Sequence, residues 1–234
     1  MGILAKPLGF LLTWLYDIIG NYGIALIVVT VIVKLCLYPV YAKSIKSTMR
    51  MTEMQPKIQE IQQKYAKDKE LMNEKLSALY KEEGVSMYGG CLPMVVQMIV
   101  IMGLFALLRN PMAYIESDNM LFAIHEPFLW IQDLAQPDKW VLPILAAVAT
   151  FIATSMSQSS AGGANAQQTK MMTNIMKYFF PIMILWMARS YPAGLAIYWV
   201  GSQVIQIFYN IRFAKMRKQS AEKRAKASKK KARA

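Results

Sequence analysis

Lys34 is the residue whose chemistry most needs an account. It lies in the apolar run Gly23-Ile-Ala-Leu-Ile-Val-Val-Thr-Val-Ile-Val-Lys-Leu-Cys-Leu-Tyr-Pro39, eleven residues after Gly23 and five before Pro39. In a helix rising about 1.5 Å per residue that is roughly 16 Å from one end and about 8 Å from the other. A cation in hydrocarbon costs on the order of 3 kcal/mol on insertion scales. Either the long stem snorkels to the nearer interface, or the ammonium faces a water-filled cavity inside the bilayer. Thr30 lies one turn away on the same face. Other polar residues sit in apolar surroundings: Gln97, the stripe Tyr198, Ser202, Gln206 and Tyr209, and Trp199, Gln203 and Asn210 beside it. Thr150 and Thr154 read as hydrogen-bonding partners between helices. Thr30, Lys34, Gln97, Gln203 and Gln206 together read as the lining of a wet pocket.

What is missing narrows the chemistry. No Asp or Glu falls inside an apolar run, and a proton relay or cation-coupled transporter ordinarily needs one. There is no HExxH, no Ser/His/Asp set and no phosphate-binding loop. The two cysteines, Cys36 and Cys91, lack metal or redox spacing, and His125, the only histidine, has no evident partner. These readings point away from an enzyme, a metal site or a cofactor.

The elements that must position these residues follow from the chain's polarity. It has 234 residues, 55% of them hydrophobic, and a formal net charge of +13; long apolar runs with polar punctuation indicate an all-α, multi-span membrane protein. Residues 1–22 carry leucines at helical spacing with Trp14 and Tyr16, which suggests a helix lying in the extracytoplasmic interface. The first span is 23–41. Residues 42–86 hold nine Lys/Arg and seven Asp/Glu. Met51, Met54, Ile58, Ile61 and Tyr65 form a narrow 3-4 seam there, continued by Met72, Leu76 and Leu79, which predicts a helical hairpin in water with Pro56 starting or kinking its first arm. Residues 87–211 form the membrane core: spans at Cys91–Leu108, Trp140–Met156, Asn174–Arg189 (bent at Pro181) and Leu195–Ile211, with a flexible linker at Ser157–Thr169. Residues 212–234 form a basic tail with eleven Lys/Arg against Glu222. Such a block is ordinarily solvated and disordered; Lys215, Arg217, Lys218, Lys223, Arg224, Lys229, Lys230 and Lys231 offer it contacts to anionic lipid or to nucleic-acid phosphates.

Charge also orients the chain. The hairpin, the 158–177 region and the tail hold 22 Lys/Arg, whereas the N-terminal segment and the other two loops hold Lys6, Arg109, Lys139 and Arg189. The positive-inside rule places the hairpin and C-terminus in the cytoplasm and the N-terminus outside, which five spans satisfy. Spans averaging about 17 residues, roughly 26 Å long, fall short of a bilayer core of about 30 Å, a mismatch met by local thinning.

Four motifs, in order and with their spacing, carry a resemblance: Thr30-Val-Ile-Val-Lys34 with Tyr38-Pro39; Met54-Gln-Pro-Lys-Ile-Gln59; Gly89-Gly-Cys-Leu-Pro-Met-Val-Val-Gln-Met98; and Pro192-Ala-Gly-Leu-Ala-Ile-Tyr-Trp199. Over residues 14–213 the chain resembles the YidC/Oxa/Albino-type membrane protein insertases, in the compact five-span bacterial form without an extra N-terminal span or large periplasmic domain. The resemblance implies a hydrophilic groove open to the cytoplasm and laterally to lipid, closed on the outside. Through it, hydrophobic segments of new membrane proteins enter the bilayer, alone or beside the Sec translocon. It implies a substrate groove at Lys34, Thr30, Gln97, Tyr198, Trp199, Ser202, Gln203 and Gln206, a tail that binds rRNA or lipid, nascent membrane proteins as substrates, a monomer at work, and residence in the bacterial plasma membrane. The family usually holds arginine where this chain has Lys34; the charge is kept, and the planar bidentate fork is lost. The competing reading is a small channel or transporter using the same pocket.

Overall fold

The computed structural model describes residues 2–84, 92–115, 118–159 and 174–231. Helix α1 spans Gly2–Ile19, α2 Tyr22–Glu53, α3 Gln55–Lys64, α4 Lys69–Glu82, α5 Leu92–Arg109, α6 Asp118–Ala123, α7 Val141–Ser159, α8 Phe180–Ala188 and α9 Ala193–Lys231. A π-helical turn, Ile175–Phe179, leads into α8. The protein is all-helical; among the described residues the extended pairing amounts to one isolated bridge, Phe128 with Ile131.

Local chemistry sets the joints. α1 stops at Gly20, whose φ of 68° suits a residue without Cβ. The Asn21 side chain then accepts from the Ile24 N–H at 3.0 Å and starts α2. α3 carries Pro56 in its first turn, where the missing amide is harmless. Asp68 caps α4 through the Leu71 N–H at 3.0 Å, and Gly84 lies just past that helix at φ 62°. Pro181 occupies the first turn of α8. It has no N–H to continue the ladder behind it, and the turn before it is wound in the wider π register, with the Phe180 N–H donating to the Ile175 carbonyl.

Two expected boundaries move. The first helix does not close at Pro39–Tyr41. Pro39 is inside α2, and the apolar stretch runs as Tyr22–Ser44, 23 residues long. Lys34 is therefore about 18 Å from one end and about 15 Å from the other, near mid-span rather than close to one face. A proline inside an apolar helix is tolerated where neighbours supply the lost hydrogen bonds. Likewise the basic tail is not a break in the helix: α9 continues through it to Lys231. In the hairpin, Met54, Ile58 and Leu79 are buried against Ile61, Leu76 and Tyr80. Most of the expected linker, from residue 160, and the segment 85–91 lie outside the described residues.

In the packing, α9 lies between α2 and α7, α8 packs on α7, and α1 packs on α5 and α2. The main core joins Leu8 and Leu12 of α1, Tyr22 and Leu26 of α2, Leu104 and Leu107 of α5, and Leu195 to Tyr198 of α9. On α1 the buried residues Ala5, Leu8, Leu12 and Leu15 repeat at 3-4-3 spacing, and Phe10, Trp14 and Ile18 face outward. Gly103 of α5 admits α1 closely: a Cβ there would stand 3.1 Å from that of Leu4.

Candidate functional site

Three helices converge on Lys34. Its side chain is buried, with 3% of its surface exposed. The ammonium donates to the Gln97 Oε1 of α5 at 3.0 Å and to the Tyr41 hydroxyl of its own helix at 3.3 Å. Tyr41 donates in turn to Gln97 Oε1 at 3.1 Å, and Gln97 Nε2 donates to the Tyr198 hydroxyl of α9 at 3.0 Å. The Tyr41 ring lies under the ammonium, with its centroid 5.0 Å away. The backbone is held as well: the Tyr209 hydroxyl donates to the Lys34 carbonyl at 3.1 Å. Among the described residues no carboxylate lies within ion-pair distance of Lys34; the ion pairs are Lys57 with Glu83, Lys75 with Glu74, and His125 with Asp133. The ammonium thus neither snorkels to a helix end nor stands in an open cavity. Among the described residues it is packed against neutral oxygens, with no carboxylate to compensate its charge.

The other expected residues distribute over two faces of α9. Thr30 is buried beside Gly201, and its hydroxyl donates to the Leu26 carbonyl at 2.7 Å. Tyr198 is fully buried and joins the lysine cluster. Ser202 is buried and returns its hydroxyl to the Trp199 carbonyl at 2.9 Å. Trp199 turns the other way, its indole N–H donating to Thr150 Oγ1 of α7 at 2.9 Å. Gln206 donates to Asn210 Oδ1 at 3.3 Å, and Asn210 donates to the Ala153 carbonyl of α7 at 3.0 Å. Gln203 is half-buried on α9. So Gln97 joins Lys34 to Tyr198, Thr30 sits beside Gly201 at the α2–α9 contact, Ser202 bonds within α9, and Trp199 and, through Asn210, Gln206 belong to the α7 side. Lys215 and Lys218 are exposed on α9; the side chains of Arg217, Lys223, Arg224, Lys229, Lys230 and Lys231 lie outside the described ones.

Tyr41 is a neighbour of Lys34 that the sequence reading did not single out, and Tyr209, part of the expected polar stripe, packs beside it. Tyr41 is seven residues beyond Lys34, two turns along the same face. With Tyr38 and Phe213 they form an aromatic cluster where α2 crosses α9, the Tyr38 and Tyr209 centroids lying 5.3 Å apart.

At the opposite end of the same two helices the loop 124–136 forms a strap. Glu126 accepts from the Tyr22 N–H at 3.0 Å and from the Tyr16 hydroxyl. Phe128 lies against Gly23 so closely that a Cβ there would be 2.3 Å from the ring. The carbonyls of Leu134 and Gln136 accept from the Gly194 and Ala193 N–H groups at 3.1 and 2.9 Å, which satisfies the first amides of α9. The strap thereby ties the starts of α2 and α9 together. Next to it, Asp138 caps α7 through the Leu142 N–H at 2.7 Å and takes the Trp130 indole N–H at 3.2 Å. A cavity of about 510 Å³ between α1 and residues 111–115 includes Lys6 and Phe10 and shares no residue with the lysine cluster. Among the described residues no three His, Cys, Asp or Glu gather as a metal site.

Comparison with known proteins places this geometry. The family described as 60Kd inner membrane protein matches residues 14–221. The membrane protein insertase YidC of Caldanaerobacter subterraneus is 34% identical over 208 residues, covering 88% of this chain and 92% of that protein. That of Fusobacterium nucleatum is 37% identical over 206 residues, with the same coverage. The membrane protein insertase YidC 2 of Listeria innocua is 36% identical over 211 residues, covering 68% of its length. Among solved structures, an active YidC insertase with its first transmembrane domain resolved superposes with a TM-score of 0.61 at 29% identity; 88% of this chain is covered, and the chain spans 45% of that one.

Proposed function

The chain belongs to the YidC family of membrane protein insertases, and on that premise we propose that the Lys34 cluster is the floor of the groove through which this bacterial inner membrane protein moves its substrates. The observation that carries the reading is the buried ammonium held, among the described residues, by neutral oxygens of α2 and α5. Removing a charge from water costs several kcal/mol unless a partner repays it. With no carboxylate beside it among the described residues, the site's best partner arrives with the substrate.

The substrates are nascent membrane proteins. A short hydrophilic tail, often acidic, enters from the cytoplasm beside the half-buried Gln97, Gln203 and Gln206, and Lys34 lowers the cost of carrying its polar groups partway across. The apolar segment behind it leaves sideways into lipid, and burial of that segment drives the step. No covalent bond is made or broken. The membrane core is five spans: α2, α5, α7, α8 with its π turn, and α9. Residues 1–22 lie in the outer interface, the N-terminus is outside, and the α3–α4 hairpin and the C-terminus are cytoplasmic. The 22 cations on one side against four on the other support this orientation. The 18 residues of α5, about 27 Å long, support a locally thinned bilayer.

The strap supports a groove sealed on its outer side, since it caps α2 and α9 at the end away from the hairpin. The basic extension of α9 meets ribosomal RNA phosphates or anionic lipid headgroups, and the protein works as a monomer, alone or beside the Sec translocon. Single cysteines at Thr30, Gln97 and Gln203, probed with impermeant thiol reagents from each side, test the arrangement. Labelling from the cytoplasm alone is expected; labelling from outside would make the pocket a channel or transporter path instead.

A further inference from the structure

We infer that Tyr41 is the positioning residue for Lys34, anchoring the ammonium against Gln97 so that a lysine can present its charge to an acidic segment. The inference rests on the groove reading above and adds to it the residue that aims the charge.

A lysine has a particular problem in this position. A guanidinium is planar and carries its donors in a fixed fork, so one carboxylate or amide contact orients it. An ammonium is a point charge at the end of four rotatable bonds, with no plane of its own. Its direction has to be imposed by the acceptors around it. Here those acceptors form a closed triangle. Lys34 Nζ donates to the Tyr41 oxygen and to Gln97 Oε1, and the Tyr41 hydroxyl donates to that same Oε1. The amide oxygen has two lone pairs and uses both, which leaves Gln97 Nε2 for the Tyr198 hydroxyl. Remove the Tyr41 hydroxyl and the triangle is reduced to one contact with a side chain that can itself rotate.

Tyr41 is itself well fixed. It is 5% exposed, and its ring is 6.0 Å from that of Tyr209, whose hydroxyl holds the Lys34 carbonyl. Pro39 lies between Lys34 and Tyr41 on α2 and cannot donate to the carbonyl one turn behind it. The helix is weakest between the two residues, and the Tyr41 and Tyr209 contacts bridge that weak turn. Lys34 is therefore held at both its backbone and its head.

Tyr41→Phe isolates the hydroxyl, since the ring keeps its packing on Tyr209 and its face toward the ammonium. The assay is insertion of a short-tailed substrate in cells depleted of the native insertase, with variant levels checked by immunoblot. The tail carries either acidic residues or their amide counterparts. Loss of one hydrogen bond to a charged group should lower insertion of the acidic tail about tenfold or more and leave the neutral tail within about twofold. In the Lys34→Ala background, Tyr41→Phe should have no further effect, and Lys34→Arg should restore Tyr41→Phe because the fork reaches Gln97 unaided. Equal losses for acidic and neutral tails, or an undiminished loss in the Lys34→Ala background, would make Tyr41 a packing residue and overturn the inference. If Lys34→Ala lowers acidic-tail insertion and Tyr41→Phe does not, the inference fails and the groove reading survives. If Lys34→Ala itself is without effect, the groove reading fails and takes this inference with it.

Discussion

Gly23→Ala strikes the joint between the 124–136 strap and α2. A Cβ at that position would lie 2.3 Å from two atoms of the Phe128 ring and 2.8 Å from a third. The ring cannot step aside freely. The Phe128 backbone exchanges hydrogen bonds with Ile131 at 2.8 and 2.9 Å, and Glu126, two residues earlier, is bound to the Tyr22 amide. Two effects compete. Alanine is the better helix former, by up to about 1 kcal/mol. Overpacking of this kind costs about 1–3 kcal/mol, and lifting the half-buried ring into water costs a similar ~1 kcal/mol through lost apolar burial. The clash should win by about 1 kcal/mol, lowering the melting temperature in detergent by ~2–4 °C for a chain of this size. The same imbalance should speed labelling of a cysteine at Thr30 from outside about fivefold. Removing the obstacle provides the control: in a Phe128→Ala background, Gly23→Ala should cost nothing or stabilise. An unchanged or raised melting temperature for the single variant, with no change in outside labelling, would refute the tight joint and the seal built on it.

Three further perturbations test other parts of the account. Thr150→Val removes the acceptor of the Trp199 indole N–H and should lower stability in detergent by about 1 kcal/mol, read by thermal unfolding; Trp199→Phe should abolish the difference. At Asp138 burial pushes the carboxyl up, but the N–H groups of Leu142, Trp140 and Lys139 and the Trp130 indole outweigh it and hold the group below its usual range. Its stabilisation is therefore present above the unfolded value of about 3.9 and lost as pH falls below it, so the melting temperature of Asp138→Asn should decline less between pH 5 and 3 than that of the unaltered protein. Truncation after Phe213 removes Lys215, Arg217, Lys218 and the cations beyond them and should abolish salt-sensitive cosedimentation with ribosomes; unchanged binding would assign the extension to lipid alone.

Much of the central cluster was legible because it violates its surroundings. Lys34, Thr30 and Gln97 are conspicuous in apolar runs, and a polar group there must have a partner. Tyr198 stood out for the same reason, although not as the partner of Gln97. Tyr41 was hidden by its place as the last residue of the expected span 23–41, where a tyrosine reads as an interfacial ring. The continuation of α2 past Tyr41 buries that ring beside Lys34 and moves the lysine toward the middle of the apolar stretch. The split of the α9 stripe was equally invisible, since Trp199 is one residue from Tyr198 and its direction depends on α7 lying on that side. The strap was the least accessible. It works largely through the carbonyls of Leu134 and Gln136, which every residue possesses, and through the absence of a side chain at Gly23. His125, without an evident partner in the sequence, has its Nδ1 3.1 Å from Asp133, eight residues on, a separation with no helical or strand period to announce it.

The central claim is that the charge at position 34 acts on the segment being moved. The most direct test is insertion of a substrate with a short acidic tail, in cells depleted of the native insertase and supplied with Lys34→Arg, Lys34→Ala or Lys34→Glu. Loss of a charged hydrogen-bonding partner is worth about 1.5–3 kcal/mol, or about ten- to a hundredfold in insertion. The account predicts near-normal insertion with arginine, a loss of that order with alanine, and a deeper loss with glutamate, whose carboxylate repels the tail. Equal insertion by all three variants would contradict it.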